Sequence, residues 1–461
     1  MPEIKLNKLK LSNYRCFSQI EIEFHTELTV LVAPNGGGKT SILDAIAVAF
    51  GPYIGAFDEA VGKHFEPDDI QLIRARETAS NEMEYAAGGV SLEAEGLLPN
   101  TLSITALNES WQLTTWRRSL AGPKKKTTIK DAGDLIAYGR EIQKLVQTPG
   151  SNVMLPILSY YGTGRLWQQK KLTHGKLPRT SRTIGYRDCL DPASSYKSFT
   201  EWFRYWSTNA LKGRLEAMQS GRDYVPTEFD AYIRSVADAV NTCLAPAKWK
   251  NISYSSAREE LVAFHDDLGE LPVALLSDGI RNMIGMVADI AFRTTKLNPQ
   301  LGASASKETC GIVWIDEIDM HLHPEWQQVV LAGLTKAFSK IQFIVTTHSP
   351  QVLTTVRKEC IRVIEWEGDK AFARIPFHET YAQESRTTLE DVLKVPSRPP
   401  LEVNNKLRDY LRRIEDREET IPETIQLRTE LESLLGAGDE QLQLADMLIA
   451  RNQALRLKGR A

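Results

Sequence analysis

Three short strand-like runs recur along the chain, and each ends at a group of glycine or polar residues. They lie at 28–32, 311–315 and 343–347. A stretch of helix-forming, largely apolar residues, 41–50, follows the first run. Buried strands and helices along one chain predict an α/β fold. The polar residues at the strand ends are therefore the first candidates for chemistry.

The segment between the first strand and its helix has the composition of a phosphate-binding loop. It reads Ala-Pro-Asn-Gly-Gly-Gly-Lys-Thr at 33–40. Residues without a Cβ allow tight dihedrals, and the first amides of the helix point at a bound anion. We expect Lys39 to reach the β- and γ-phosphates of ATP and Thr40 to hold Mg²⁺. The expected nucleotide contacts of this loop are Asn35, Gly36, Gly37, Gly38, Lys39, Thr40 and Ser41.

One position of the loop departs from the usual pattern. Ala33 stands where that pattern begins with glycine. A glycine-rich turn before a helix can also be an ordinary structural connection. The intact Gly-Lys-Thr ending favours phosphate binding over that alternative.

The second and third strands end in residues suited to hydrolysis. Asp316 and Glu317 follow the run 311–315, and His348 follows the next strand. Asp316 would coordinate Mg²⁺, directly or through water, while Glu317 would orient or deprotonate the attacking water. His348 could hydrogen-bond the γ-phosphate. A pair of solvated surface acids is the alternative, and it fits poorly with so apolar a preceding strand.

A serine-glycine turn opens the apolar-periodic stretch 283–292. Ser277 is predicted to be the N-cap of this helix and Gly279 a point of close approach. By itself this is a capped helix. Between the other motifs, the turn can instead present its hydroxyl, amides and helix dipole to the nucleotide of a second copy.

These motifs, in this order, resemble the ABC-type ATPases of the SMC, RecF and OLD group. Asp278 replaces a commoner glycine of the signature turn, while 322–324 fits the segment after the acidic pair that meets the opposite subunit. The resemblance implies a P-loop NTPase of ABC or SMC-head type with a β-rich lobe, an inserted helical arm and a small C-terminal helical module. It also implies a homo-oligomer, a head-to-tail dimer possibly within a higher assembly, that sandwiches two ATP–Mg²⁺. Arg15 matches a basic residue near the nucleotide in this group, but it could equally be a surface charge.

The spacing of the motifs narrows the class further. Lys39 and Ser277 are 238 positions apart, far more than the compact ATPase subunits of membrane transporters place there. Prolines interrupt the intervening chain, which argues against the long coiled coil of a full SMC protein. The glutamine loop of the group has no secure counterpart, and Gln71 is only a candidate.

The segment 154–167 looks like a hallmark of bacterial defence ATPases, including the ATPase subunits of the PARIS and Septu anti-phage systems. It joins a strand-like run to Gly-Thr-Gly-Arg-Leu-Trp. In those systems the nuclease is a partner protein, a Toprim enzyme in PARIS and an HNH enzyme in Septu. The resemblance implies an ATPase subunit that responds to a phage trigger protein and releases or activates the nuclease.

Two other functions stay open. A RecF-like DNA-repair ATPase would bind DNA directly, with strong salt dependence. A self-contained nuclease of the OLD type would need a Toprim domain with an Asp-x-Asp arrangement. Only 111 residues follow Pro350, and they contain no such arrangement.

Composition favours a cytoplasmic globular protein. The 461 residues are 42% hydrophobic and 25% charged, with a net charge of −3. No run is long and apolar enough to predict a membrane span, and the amino end lacks the apolar core of a signal peptide. The five cysteines lack metal-ligand spacing and are expected to be reduced packing residues.

One segment departs from the even distribution of charge. Between 162 and 187 there are seven basic residues and no acidic residue, interleaved with Trp167 and Tyr186. Such a stretch could follow a nucleic-acid backbone with its aromatics free to stack. It could also be a solvated loop or contact an acidic trigger protein, so nucleic acid is a possible but not a required partner.

The coarse organisation follows from these assignments. Residues 1–164 are expected to form a first ATPase lobe with the phosphate loop and a β-rich subdomain that includes Thr101–Leu107. Residues 165–250 would be an inserted, mainly helical arm, and 251–385 a second ATPase lobe. Residues 386–461 would be a helical module, either packed on the core as an appendage or used to dock the nuclease.

Overall fold

The computed structural model describes residues 4–74, 83–99, 111–164, 181–192 and 197–458. Within these ranges the strands are β1 (Lys5–Tyr14), β2 (Phe17–Glu23), β3 (Leu28–Val32), β4 (Leu72–Arg74), β5 (Met83–Tyr85), β6 (Val90–Pro99), β7 (Trp111–Leu120), β8 (Ile157–Tyr161), β9 (Trp249–Ser255), β10 (Glu260–His265), β11 (Gly269–Pro272), β12 (Gly311–Ile315), β13 (Ile341–Thr346), β14 (Ile361–Glu367) and β15 (Lys370–Arg374).

The α-helices are interspersed with these strands. In the described ranges they are α1 (Lys39–Ile54), α2 (Gly133–Gln147), α3 (Lys197–Gln219), α4 (Glu228–Leu244), α5 (Asp278–Leu297), α6 (Ala305–Glu308), α7 (Pro324–Gln327), α8 (Val330–Ala337), α9 (Pro350–Leu353), α10 (Ser385–Asp391), α11 (Glu402–Glu415), α12 (Pro422–Leu435) and α13 (Glu440–Lys458).

A six-stranded sheet forms the centre of the molecule, in the order β15-β14-β3-β13-β12-β8. Its inner pairs are parallel, and only β15 runs antiparallel to its neighbour. Every residue of β3, β8, β12 and β13 is buried. Strands covered on both faces read as continuous apolar runs, which is why their positions could be predicted from the sequence. Because β3, β13 and β12 are adjacent and parallel, their carboxyl ends lie at one edge.

Two antiparallel sheets flank the central one. The first has the order β2-β1-β6-β7, and the second the order β11-β10-β9. The second is formed by three consecutive strands, β9 to β11, with a turn at 266–269 between β10 and β11. The predicted strand at Thr101–Leu107 lies outside the described residues.

The four-stranded sheet is attached to the central sheet by buried polar contacts. The Gln342 side chain, at the start of β13, bonds both backbone groups of Leu6 and the carbonyl of His25, each at 2.9 Å. Trp116 on β7 donates its indole N–H to the Ala49 carbonyl of α1 at 2.9 Å. Arg118, fully buried, donates to the Val48 carbonyl at 2.7 Å. These contacts fix the first sheet against both β13 and α1.

Helices α3 and α4 lie within the predicted arm. Four aromatic residues of α3 are buried and belong to the core, namely Phe199, Trp202, Phe203 and Trp206. Trp206 of α3 and Phe292 of α5 have ring centroids 5.7 Å apart. The arm therefore packs directly on α5, the helix that begins at the serine-glycine turn.

The basic segment is only partly described, because residues 165–180 lie outside the described ranges. Tyr186 is completely buried and donates its hydroxyl to the Pro156 carbonyl at 2.7 Å. The alternative in which this aromatic is free to stack on a base is therefore wrong. Arg182 donates to the carbonyls of Val153 and Leu297 at 2.6 and 2.9 Å. It stabilises the fold there.

The chain divides into two compact units, the first ending at Leu393 and the second beginning at Lys394. The second unit contains α11, α12 and α13. Its own core is small and consists of Leu407, Tyr410, Ile414, Leu431, Leu442 and Ala445. None of the described helices is long and apolar enough to cross a membrane.

Replacing Gln342 by methionine should destabilise the first unit. The substitution keeps the shape of the side chain but removes the partners of three buried backbone groups. We expect the free energy of unfolding to fall by about 2–3 kcal/mol in urea denaturation, because an unsatisfied buried polar group costs about 1–3 kcal/mol. Gln112→Met, at an exposed position of β7, is the control and should change stability by less than about 0.5 kcal/mol. Equal stability of both variants would contradict the assigned contacts.

Candidate nucleotide site

A cleft of about 650 Å³, open to solvent, lies at the carboxyl ends of β3, β12 and β13. It gathers residues that are far apart in the sequence. The lining consists of Arg15, Cys16, Asn35, Gly36, Gly37, Gly38, Lys39, Thr40, Ser41, Asp316, Glu317 and His348. The sheet order thus places the glycine loop, the acidic pair and the histidine around one space.

At Gly38, the glycine loop has a backbone conformation that only glycine adopts easily. This residue has φ 90°, in the left-handed region. A Cβ built there would also lie 2.2 Å from Cζ of Phe17 and 2.8 Å from Sγ of Cys16. Both backbone strain and contact with the β1–β2 turn therefore require glycine at the residue before α1.

Lys39 is folded back over its own loop. Its Nζ donates to the carbonyl of Ala33 at 2.9 Å and to that of Pro34 at 3.3 Å. Burial lowers the pKa of Lys39, and the nearby carboxylates of Asp316, Glu317 and Asp319 act in the opposite direction. A buried ammonium at the head of a loop of backbone amides is a suitable partner for phosphate oxygens. The loop therefore fits a nucleotide.

The carboxylate of Asp316 is held from two sides. Thr40 donates its hydroxyl to Oδ2 at 2.7 Å, and Thr346 donates its hydroxyl to Oδ1 at 2.6 Å. Asp316 is only 1% exposed. A hydroxyl and a carboxylate that converge beside a phosphate loop are the oxygen ligands that Mg²⁺ prefers. These residues therefore fit the ion expected from the sequence.

Glu317 has an unusual backbone conformation. Its φ is 48°, a left-handed value that costs a non-glycine residue about 1–3 kcal/mol. Its amide N–H donates to the Thr346 hydroxyl at 2.7 Å. The next amide, that of Ile318, donates to the Thr346 carbonyl at 3.0 Å. The sharp turn after β12 is thus bonded directly to the end of β13.

His348 lies in the same cleft, two residues after β13. Its pKa is lowered, chiefly by burial and then by the positive charge of Lys39, while Asp319, Glu317 and Asp316 partly oppose the shift. The imidazole is consequently neutral over a wider pH range than a solvated histidine. A neutral ring can donate one hydrogen bond and accept another.

Arg15 lies in the turn between β1 and β2, at the rim of the cleft. It bonds Asp44 of α1 at 2.5 Å and Asp69 at 2.9 Å, and its side chain is 35% exposed. It is therefore anchored by two carboxylates beside the loop, unlike an isolated surface charge. Gln71 donates its side-chain amide to the carbonyl of Cys16 at 3.3 Å, and its role as the glutamine loop stays a prediction.

Ser277 and Gly279 do not line this cleft. Ser277 occupies the predicted N-cap position of α5 and is exposed, but its side chain makes no capping hydrogen bond. A Cβ on Gly279 would lie 2.3 Å from the His321 carbonyl. The close approach predicted for this glycine is thus made to the segment after the acidic pair in the same chain.

No sequence motif assigns a role to Thr346 or to the residues around it. Thr346 ends an apolar strand, where a β-branched residue has the ordinary appearance of a strand former. The hydroxyl of Thr347 donates to Asp319 Oδ1 at 2.6 Å, and that of Ser349 to Gln327 Oε1 at 2.7 Å. These residues join the histidine segment to the segment after the acidic pair. Only the run of hydroxyl residues before Pro350 could have drawn attention to them.

Comparison with known proteins identifies similar ATPases. Family models described as "AAA domain" and "AAA ATPase domain" match residues 8–221 and 209–353. The retron Vc95 probable ATPase of Vibrio cholerae serotype O1 biovar El Tor is 25% identical over 78% of this chain and 74% of its own length. The retron Ec83 probable ATPase of Escherichia coli is 24% identical over 95% of this chain and 85% of its own length.

A further relative and a solved structure extend the comparison. Septu protein PtuA of Bacillus mycoides (strain KBAB4) is 44% identical over 16% of this chain and 10% of its own length. The SMC head domain from Thermotoga maritima is 14% identical, with a TM-score of 0.40, over 80% of this chain and 98% of that one.

The fold and the cleft define a P-loop ATPase with the motif order of the ABC type. The chain is related to the retron ATPases and, over a shorter stretch, to Septu PtuA, in agreement with the matches to AAA ATPase domains. The likeness to Septu is confirmed. The retron relatives were not foreseen from the motifs, although they span most of the chain.

The titration of His348 should report the charge of Lys39. We expect the nucleotide-free protein to show a His348 midpoint below the ordinary value of about 6.5 in a ¹H–¹³C NMR titration. Lys39→Met keeps the length of the side chain but removes its charge, so the pKa of His348 should rise. Lys336→Met, at an exposed position of α8, is the control. An unchanged midpoint in Lys39→Met would show that the two side chains do not interact.

Proposed function

We propose that this protein is the ATP-hydrolysing sensor and scaffold subunit of an anti-phage defence complex. It holds a separate nuclease and, when a phage-derived trigger protein binds, releases or activates it. The retron and Septu relatives support a defence role for the ATPase. The partner implied by the resemblance is either the Toprim nuclease of a PARIS-like system or the HNH nuclease of a Septu-like system.

One observation carries the mechanism of this proposal. The cleft contains the phosphate loop, the acidic pair and the histidine, while Ser277 and Gly279 lie outside it. Ser277 is nevertheless exposed at the amino end of a 20-residue helix, where backbone N–H groups favour an anion. A head-to-tail dimer would bring this turn onto the nucleotide of the facing copy. Each active site would then be shared between two protomers.

The roles of the residues follow from their positions. The loop from Asn35 to Ser41 would bind the phosphates, with Lys39 turned from its own carbonyls to the β- and γ-phosphates. Thr40 and Asp316 would hold Mg²⁺, which when bound neutralises phosphate charge. Glu317 would orient or deprotonate the attacking water, and His348 would hydrogen-bond the γ-phosphate.

The chain itself is not expected to cut nucleic acid. No Asp-x-Asp arrangement follows Pro350 in the sequence, and the second unit consists of helices in the part that the structure describes. We place the complex in the cytoplasm, where phage components would be met.

The RecF-like alternative would instead require ATP-dependent binding of DNA by the purified chain. The burial of Tyr186 and the carbonyl contacts of Arg182 weaken that alternative for the described part of the basic segment.

Replacing Glu317 by glutamine should separate nucleotide binding from trigger response. The amide has the shape of the carboxylate but cannot accept the proton of water, so we expect hydrolysis to fall by about 100-fold or more with ATP affinity retained. Release of the co-purified nuclease on addition of trigger should be lost with it. Glu423→Gln, at an exposed position of α12, should release the nuclease normally. Equal release by Glu317→Gln and the unmodified protein would remove hydrolysis from the mechanism.

Mixing two inactive variants should restore hydrolysis if the sites are shared. A dimer of Lys39→Ala with Ser277→Arg contains one site with both residues intact. An equal mixture should therefore reach about a quarter of the unmodified turnover if subunits pair at random.

Lys39→Ala mixed with Glu317→Gln is the matched control, because both residues lie in the same cleft. Every site of that mixed dimer keeps one defect, so no activity should return. Recovery in neither mixture would contradict the shared site.

A further inference from the structure

We infer that Thr346 is a positioning residue for hydrolysis, and that its single hydroxyl fixes both carboxylates of the acidic pair. The inference rests on the roles proposed above for Asp316 and Glu317. Thr346 belongs to no sequence motif, and the hydrogen bonds around the end of β13 support this role.

The hydroxyl of Thr346 is fully engaged. It donates its one proton to Asp316 Oδ1 at 2.6 Å and accepts the amide N–H of Glu317 at 2.7 Å. A hydroxyl–carboxylate bond of this length is a charge-assisted bond, which is shorter and stronger than a neutral one. Thr346 and Asp316 are 0% and 1% exposed, so water does not compete for the bond between them, whereas the bond from the Glu317 amide is only partly buried.

The first bond decides which way the Asp316 carboxylate faces. With Oδ1 held by Thr346, the other oxygen, Oδ2, points to Thr40 at the start of α1 and bonds it at 2.7 Å. Loss of the Thr346 hydroxyl would remove the bond to Oδ1 and leave the bond from Thr40 to Oδ2, so the carboxylate would be held less tightly about its terminal torsion, which is broad and has weak preferences. The orientation of the oxygen expected to face the metal would then be less well defined.

The second bond holds Glu317 in its disfavoured backbone conformation. The φ of 48° persists only where the surroundings determine it. Thr346 supplies two such constraints, since its hydroxyl accepts from Glu317 and its carbonyl accepts from Ile318 at 3.0 Å. The direction in which the Glu317 side chain leaves the turn therefore depends on Thr346.

The position of Thr346 in the sheet suits this function. It pairs with Leu31 of β3 in the parallel ladder, and β3 leads directly into the phosphate loop. The residue is thus the last of the strand that separates the loop strand from the acid strand. Branching at Cβ restricts its χ1, so the hydroxyl is presented in one direction. Valine would fill the same space without the hydroxyl, whereas serine would keep the hydroxyl without the methyl group.

The test compares Thr346→Val with Thr346→Ser. Thr29→Val is the matched control, because Thr29 is an equally buried threonine of β3 whose hydroxyl accepts the His25 amide at 2.8 Å, away from the cleft. In Thr346→Val we expect kcat and the affinity of the ATP complex for Mn²⁺, measured by electron paramagnetic resonance, each to fall by about 10–100-fold. ATP affinity in EDTA should change by less than about twofold, because the loop is intact. Thr346→Ser should retain both properties within about threefold.

A measurement without nucleotide or metal completes the test. The Glu317 amide should exchange with deuterium about tenfold or more faster in Thr346→Val than in the unmodified protein, and Thr29→Val should leave it unchanged. Normal Mn²⁺ affinity and kcat in Thr346→Val, with only a lower melting temperature, would overturn the inference. Equal impairment of the valine and serine variants would also overturn it, because packing of the methyl group would then be decisive.

Glu317→Gln serves as the reference for the proposed function. If that variant still hydrolyses ATP normally, the proposed role of the acidic pair fails. If it is inactive while Thr346→Val behaves as the unmodified protein, the acidic pair is upheld and only the role of Thr346 fails.

Discussion

The insertion of β13 between β3 and β12 is the constraint on which the site depends. Parallel pairing brings three carboxyl ends to one edge, although the residues they carry come from opposite ends of the chain. All residues of these three strands are buried, so a slip in their register would require the close-packed side chains on both faces to repack. A shift of one residue would move Asp316 away from Thr40 and Thr346. Packing of the buried strands therefore fixes the positions of the side chains that line the cleft.

Much of this arrangement could be predicted from the sequence because its signals are local. The apolar runs of β3, β12 and β13 are continuous, and the glycine loop lies between a strand and a helix. Strand ends and motif residues together specify which side chains meet in the cleft. The predicted loop, the acidic pair and His348 do lie around one space in the structure. Their chemical roles remain predictions until the variants are measured.

Other features could not be predicted because they depend on contacts between distant segments. The burial of Tyr186 and the carbonyl contacts of Arg182 follow from packing against 153–156 and α5, which charge patterning along the sequence does not report. Likewise, nothing local indicates that Gly279 faces the His321 carbonyl rather than a ligand. A basic run or a lone glycine has the same sequence signature in a structural role as in a binding role.

Within one protomer, the turn after β12 contacts both the nucleotide cleft and the start of α5. On one side it is bonded to the histidine segment, through Thr346 to Asp316 and through Thr347 to Asp319. On the other side the His321 carbonyl lies against Gly279, at the start of α5, the helix that is proposed to meet a second copy. In the proposed dimer, a displacement of the turn would therefore reach both the protomer's own cleft and the serine-glycine turn that faces the neighbour's cleft. The His321 carbonyl lies so close to Gly279 that a Cβ at this residue would overlap it. Such close packing transmits a displacement.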